Sequence, residues 1–137
     1  MSGLAFFDSN VLVYADDERS PEKQARAKAL FARHFDNDTA VFSVQVLQEY
    51  YAVATRKLAV SPEIAQRKVE LFASGRIVRF SGDDVVSAIR LQRALQLSIW
   101  DALIVHAAQS ARASVLYSED LQSGAVLAGV PVVNPFV

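Results

Sequence analysis

The sequence predicts an α/β domain built on a five-stranded parallel sheet flanked by helices. Three observations carry that expectation. Short apolar runs alternate with helical segments along the chain, the pattern that gives a parallel sheet covered on both faces. The chain shows no internal repeat, low-complexity tract or linker, so residues 1–137 are expected to form one domain. The hydrophobic share, 52%, supplies a core without a covalent staple.

Leu4 to Phe7 reads as the first strand. Asp8, Ser9 and Asn10 then resemble a helix cap, with a short helix over Val11 to Ala15. Asp16 to Ser20 is a polar loop, and Pro21 suits a first helical position. Glu22 to Phe35 reads as a helix with Ala25, Ala29, Leu30 and Phe31 turned inward. Thr39 to Phe42 is the second strand, and Ser43 caps a helix to about Leu58. Ser61-Pro62-Glu63 opens another helix to about Ala73, which Gly75 ends, and Arg76 to Phe80 is the third strand. Asp83 or Asp84 starts a helix to about Leu97, and Ser98 caps one to about Arg112. Ser114 to Tyr117 is the fourth strand, a short helical turn follows near Leu121 to Gly124, and Val130 to Val133 is the fifth strand. The parallel crossovers are expected to be right-handed, and in such folds ligands sit beyond the carboxyl ends of the strands.

Composition excludes several classes. With no cysteine, disulfides and thiolate metal sites are ruled out, and the chain suits a reducing, cytoplasmic setting. Met1 to Phe7 lacks the basic start and long apolar run of a signal peptide. No stretch of about 18 apolar residues is present to span a membrane. The net charge of −1 lacks the overall basic footprint of a nucleic-acid binder, but Lys23, Arg26, Lys28 and Arg33 share one segment. Arg56, Lys57, Arg67 and Lys68 fall in others, and all of these also read as solvated helix faces. His34 and His106 are isolated and read as structural; no glycine-rich phosphate loop and no Ser-His-Asp arrangement is visible. Tyr50 and Tyr51, adjacent on a helix, cannot both face inward.

Four carboxylates stand out. Asp8 directly follows the first strand, and Asp120, beside Glu119, lies just beyond the fourth. Glu49 lies about two turns into the helix after the second strand, and Asp101 in the first turn of the helix before the fourth. Each has an ordinary reading. Asp8 can be only a cap, Ser98 and Asp101 have capping-box spacing, Glu49 can be an exposed helix residue, and Asp120 a turn residue. Against these, the helix from Ile99 is apolar nearly all round (Trp100, Leu103, Ile104, Val105, Ala107, Ala108), so it is expected to be buried and a charge on it to be expensive. Glu49 also lies at the margin of the stripe formed by Val46, Tyr50 and Val53. The four acids have no cationic partners nearby in sequence. Two carboxylates about 5 Å apart repel by roughly 3 kcal/mol at an effective dielectric of 20, so a gathered set takes up protons or binds a cation. Oxygen ligands favour Mg²⁺ or Mn²⁺ over Zn²⁺.

These residues also carry a resemblance. Phe7-Asp8-Ser9-Asn10-Val11-Leu12-Val13-Tyr14 resembles the opening block of PIN-domain proteins. Ser43 to Glu49, Trp100 to Ile104, Leu116 to Gln122 and the ending Val133-Asn134-Pro135-Phe136 resemble the later blocks, in order and across almost the whole chain. The resemblance is closest to the VapC toxins of bacterial toxin–antitoxin pairs. It implies Mg²⁺- or Mn²⁺-dependent endoribonuclease activity, an RNA substrate, a homodimer, and neutralisation by a small antitoxin that reaches the acidic pocket with a basic side chain. Asp8, Glu49, Asp101 and Asp120 match the catalytic and metal-holding acids; Ser118 and Asn10 match supporting polar positions, with Ser9 beside them and Glu119 in reserve. The implied reaction is water attack leaving 5′-phosphate and 3′-hydroxyl ends. Three alternatives remain open: an acidic-site DNA nuclease, a PIN-like RNA- or protein-binding scaffold without catalysis, and, least supported, a phospho-acceptor receiver domain. The last needs an acidic pair after strand one and a lysine near the last strand, and no lysine follows Lys68.

Overall fold

In the computed structural model, which describes residues 3–137, the element order is β1 (Ala5–Phe7), α1 (Ser9–Tyr14), α2 (Pro21–Asp36), β2 (Ala40–Ser43), α3 (Val44–Arg56), α4 (Pro62–Ala73), β3 (Arg76–Val78), α5 (Gly82–Leu95), α6 (Ile99–Ser110), β4 (Val115–Tyr117), β5 (Val126–Leu127) and β6 (Val130–Val133). Met1 and Ser2, the start of the N-terminal stretch read above, lie outside the described residues. The strands run in the order β3-β2-β1-β4-β6-β5. The pairings from β3 to β6 are parallel, and β5 is antiparallel to β6. Every residue of β1 and β2 is buried, as expected of central strands covered on both faces.

The sheet therefore has six strands, not five. The extra one is a two-residue edge strand that turns into β6 through Ala128 (φ 50) and Gly129 (φ 80). Two positive φ values in a two-residue loop match the hairpin turn whose twist suits antiparallel strands. Alanine at the first position hid this turn, because Asn or Asp is the usual signal there. The helical turn expected near Leu121 to Gly124 is absent. Its backbone groups go elsewhere: the Leu121 N–H donates to Ser118 Oγ (3.4 Å) and the Gly124 N–H to the Val132 carbonyl (2.9 Å).

Two burial expectations are also corrected. In α2 the buried residue is Ala27, with Leu30 and Phe31 half-buried, whereas Ala25 and Ala29 are exposed. The inward face is rotated because the ring of Phe31 seats against Phe7, Phe35 and Phe72, which fixes the helix about its axis. In α6 the face bearing Ala102, Ile104, Val105, Ala107 and Ala108 is buried, but Trp100 is 64% exposed. It sits in the first turn of the helix, beyond the reach of the layer that covers the rest.

Phe7 anchors the core next to the site. Its ring lies 5.5 to 6.3 Å from those of Tyr117, His34, Phe42 and Phe31, within the range of favourable aromatic pairs. His34 adds a 2.8 Å contact from Nδ1 to Thr39 Oγ1, and His106 lies 3.0 Å from Asp84, so both histidines have structural partners. Of the adjacent tyrosines, Tyr50 is fully buried and Tyr51 exposed. The Tyr50 hydroxyl, its pKa pushed up to about 12 by burial, donates to Asp16 at 2.5 Å. Lys68 pairs with the same carboxylate, which ties the loop after α1 to α3 and α4.

Candidate functional site

The strand order creates the site. From β1 the chain steps outward to β2 and β3, then returns to β4 on the other side of β1. A crevice opens beyond the carboxyl ends of two strands where the direction of winding reverses. Asp8 leaves β1 at that point, and Ser118 leaves β4 beside it; the Asp8 N–H donates to the Tyr117 carbonyl at 3.0 Å.

Asp8 does two things at once. Its Oδ1 accepts from the Ser9 N–H at 2.7 Å and caps α1. Its Oδ2 accepts from the Ser118 hydroxyl at 2.8 Å. Ser118 is fully buried and also accepts from the Asp120 N–H at 3.2 Å, so one hydroxyl sets the carboxylate and the turn that carries Asp120. Asn10 completes the bracket: its amide donates to Asp120 Oδ2 at 3.2 Å, lies 3.5 Å from Asp8 Oδ2, and its carbonyl accepts from the Glu119 N–H at 3.2 Å.

Glu119 and Asp120 lie in the bend after β4 and point in different directions. Glu119 turns away to Tyr14 (2.8 Å) and Lys23 (2.6 Å), while Asp120 faces Asn10. Lys23 also lies over the rings of Tyr14 and Phe136, so this latch holds the loop after β4 against α2. No short-range pattern revealed Lys23 as part of it, because its partner is 96 residues away.

Glu49 joins from α3. Its Oε1 accepts from the Ser9 hydroxyl at 3.1 Å, and its Oε2 from Gln45 at 3.2 Å. The four-residue spacing of Gln45 and Glu49 on one helix places them side by side. The Gln45 amide also donates to the Trp100 carbonyl at 3.2 Å, linking Glu49 to the residue before Asp101. Asp101 stands apart. Its backbone N–H donates to Ser98 Oγ at 3.1 Å, but its carboxylate has no hydrogen-bond or ion-pair partner among the described residues. Thus only half of the expected capping box forms, and the carboxylate is left uncommitted.

The electrostatics follow from burial. Asp8 is 4% exposed, and its pKa is raised from 3.8 to about 6. Burial is the largest cause; the Ser118 and Ser9 hydrogen bonds oppose it, and the charges of Glu49 and Asp120 add to it. None of Asp8, Glu49, Asp101 and Asp120 forms an ion pair among the described residues. The donors are all hard oxygens, the set that Mg²⁺ or Mn²⁺ prefers. Among the described residues no group of three or more acids or histidines is placed to hold a metal ion by itself. Mg²⁺ needs no such group, because it keeps several waters and takes one or two carboxylates together with substrate phosphate. Asp8 is the best-held donor, with Asp120 and Glu49 flanking it.

Removing the Ser118 hydroxyl tests this assembly. Because its hydrogen bond lowers the Asp8 pKa, Ser118→Ala is expected to raise that pKa further. Divalent-ion affinity at pH 7 should then fall roughly 10- to 100-fold, the usual effect of losing a group that orients a ligand. Mn²⁺ titration followed by water-proton relaxation measures it, and Ser118→Thr should restore much of the loss.

A family model described as the PIN domain matches residues 5–124. No curated protein matches the chain. Solved structures do. A toxin–antitoxin complex from Klebsiella pneumoniae superposes with a TM-score of 0.68 at 22% identity, covering 96% of this chain and 97% of that one. A VapC toxin from Mycobacterium tuberculosis that cleaves the sarcin–ricin loop gives 0.65 at 18% identity, with 85% and 89% covered. A VapBC assembly from Rickettsia felis, bound to a DNA fragment from its promoter, gives 0.64 at 21% identity, with 94% and 96% covered. At these identities the likeness is one of fold.

Proposed function

The chain belongs to the PIN-domain family, and from that premise we propose that it is a divalent-metal-dependent endoribonuclease acting as the toxin of a toxin–antitoxin pair. The observation that carries the reading is the uncompensated acidic bracket at the β1/β4 switch point, with a buried Asp8 between Asp120 and Glu49. The toxin assemblies among the similar structures support the biological role, and a sarcin–ricin-loop cleaver among them supports an RNA substrate.

In this reading Asp8 and Asp101 hold Mg²⁺ or Mn²⁺, with Asp120 and Glu49 contributing directly or through water. Such an ion lowers the pKa of water and offsets charge on the attacked phosphate. Ser118, Asn10 and Ser9 orient the carboxylates by the hydrogen bonds described above, and Glu119 anchors the loop rather than serving as a ligand. Water forms the new P–O bond, the bond to the ribose 3′-oxygen breaks, and that oxygen takes a proton. The products carry 5′-phosphate and 3′-hydroxyl ends. A small antitoxin with a basic side chain suits the surplus negative charge of the crevice. A homodimer and a cytoplasmic location complete the reading for one domain over 1–137. Among the described residues no helix is long and apolar enough to cross a membrane.

A substrate with one 2′-deoxy sugar at the cleavage point tests the chemistry. Metal-assisted hydrolysis cuts it at a rate similar to that of the all-RNA strand. A mechanism that uses the 2′-hydroxyl cannot cut it and leaves cyclic phosphates on normal RNA. Preference for a DNA strand of the same sequence would instead assign a DNA nuclease.

A further inference from the structure

A second cavity adjoins the acidic crevice, and we infer that it receives one unpaired base of a single-stranded RNA, stacked on Trp100 beside the cleavage point. The inference rests on the RNA-cleaving reading above and deepens it.

The cavity measures about 410 Å³. That falls within the roughly 300–1,000 Å³ of clefts that take small ligands. Its walls combine the chemistry that holds a base. Trp100 and Phe80 are aromatic, Val85 is apolar, Arg79 supplies a guanidinium, and Gln45 and Gln48 supply amides. Trp100 is the chain's one tryptophan and is 64% exposed, an unusual position for so large an apolar side chain. Arg79 and Gln48 are exposed, and neither side chain has a hydrogen-bond or ion-pair partner among the described residues. Proteins that read single-stranded RNA stack splayed bases on aromatic rings or guanidinium planes and bond their edges with amides.

Gln45 and Trp100 join the cavity to the site. Trp100 precedes Asp101, and Gln45 donates both to Glu49 and to the Trp100 carbonyl, at 3.2 Å each. On the proposed reading, a nucleotide whose phosphate lies on the acids puts the base of its neighbour on the indole. Arg79, in the wall of the cavity, supplies positive charge for a polyanion that the acids themselves repel. The Arg79 guanidinium and Gln48 amide, both without partners among the described residues, favour a polar, anionic ligand over a second copy of the chain, the other partner an exposed apolar face attracts. Trp100 and Arg79 are thus assigned as specificity-determining residues that select the base next to the cut.

Because Trp100 is the sole tryptophan, its fluorescence reports on the pocket alone. The full chain is titrated in chelator, which prevents cleavage, with oligoadenylate and oligouridylate octamers and with an octamer carrying central abasic sites. Stacking predicts saturable quenching by an intact octamer and none by the abasic one. Trp100→Ala is expected to weaken binding roughly tenfold without changing its salt dependence, the size of one lost base–aromatic stack. Arg79→Gln is expected to lower the salt slope. Both residues are surface-exposed, so the variants should fold. In Mg²⁺ or Mn²⁺, Trp100→Ala should still cut cellular RNA but at a changed set of positions. The inference is overturned if Trp100→Ala binds and cuts as wild type does, or if saturating RNA leaves the emission unaltered. It is equally overturned if RNA-free chain is a dimer that Trp100→Ala dissociates, which gives the face to a second copy. Quenching by RNA that the wild type never cuts would retain the base subsite and refute the nuclease reading instead.

Discussion

Asp8→Asn should cut RNA cleavage to about 1% of wild type or less and, with no divalent ion present, make the folded chain more stable at pH 7. The two effects have one cause. The Asp8 carboxyl titrates near 6 in the fold against 3.8 for an ordinary aspartate, because burial and the neighbouring acids disfavour its charge. The folded state therefore holds a proton that the unfolded state has lost between those two values. Stability from this group is fully present below about pH 4 and declines as pH rises through about 6. At pH 7 a shift of this size corresponds to roughly 2–3 kcal/mol of destabilisation, at 1.36 kcal/mol per pKa unit. Asparagine keeps a side-chain oxygen for the Ser9 N–H and carries no charge but loses the bond from the Ser118 hydroxyl, so the melting temperature should rise by only a few degrees. Loss of a metal-held carboxylate costs several kcal/mol at the transition state, and each 1.36 kcal/mol is tenfold in rate. Thermal melts from pH 4 to 8, with and without Mn²⁺, check the stability side. Wild type should lose stability across pH 4 to 6 relative to the variant and recover it with Mn²⁺; a variant less stable than wild type at pH 7 in chelator would refute the account of Asp8.

Phe7→Ala should produce the largest loss of stability. Phe7 is fully buried on the central strand, and its ring meets Phe31, His34, Phe42 and Tyr117. Truncating a phenylalanine in such a setting costs about 3–5 kcal/mol, because the lining cannot collapse to fill the space. The melting temperature should fall by roughly 10–20 °C. The effect reaches the site through the backbone, since Phe7 pairs with Tyr117 in the sheet and each precedes a site residue, Asp8 and Ser118. Phe7→Leu, which refills most of the volume, should keep activity at a modest cost in stability. Urea unfolding of the three proteins measures the order wild type, Leu, Ala; an Ala variant as stable as the Leu variant would mean that the aromatic cluster does not hold β1 in place.

The sequence made the framework legible because its punctuation is conventional. Ser43, Ser61 and Ser98 cap their helices by accepting from the N–H groups of Val46, Ile64 and Asp101. The buried runs at β1 and β2 needed no tertiary information. The edge hairpin at β5 was missed because its turn opens on Ala128, a residue that gives no signal for positive φ. The exposure of Trp100 was missed because periodicity cannot tell a covered apolar turn from one that projects past its neighbours. In the crevice, Asp8 and Asp120 were legible from their places after strands. Their link through Ser118 and Asn10 spans 108 to 110 residues and depends on the sheet order. Gln45 carries no signal in the sequence, since an amide on a helix face ordinarily means solvent.

The most direct test of the central claim is cleavage of total cellular RNA by the partner-free chain in Mg²⁺ or Mn²⁺, comparing wild type with Asp101→Asn and mapping the fragment ends. Asp101 is the informative residue, because its carboxylate has no partner within the fold among the described residues, so its neutralisation leaves the structure intact. The account predicts discrete cuts bearing 5′-phosphates, lost in chelator and in the variant. Equal cutting by Asp101→Asn, or no cutting by folded wild type in either metal, would contradict it.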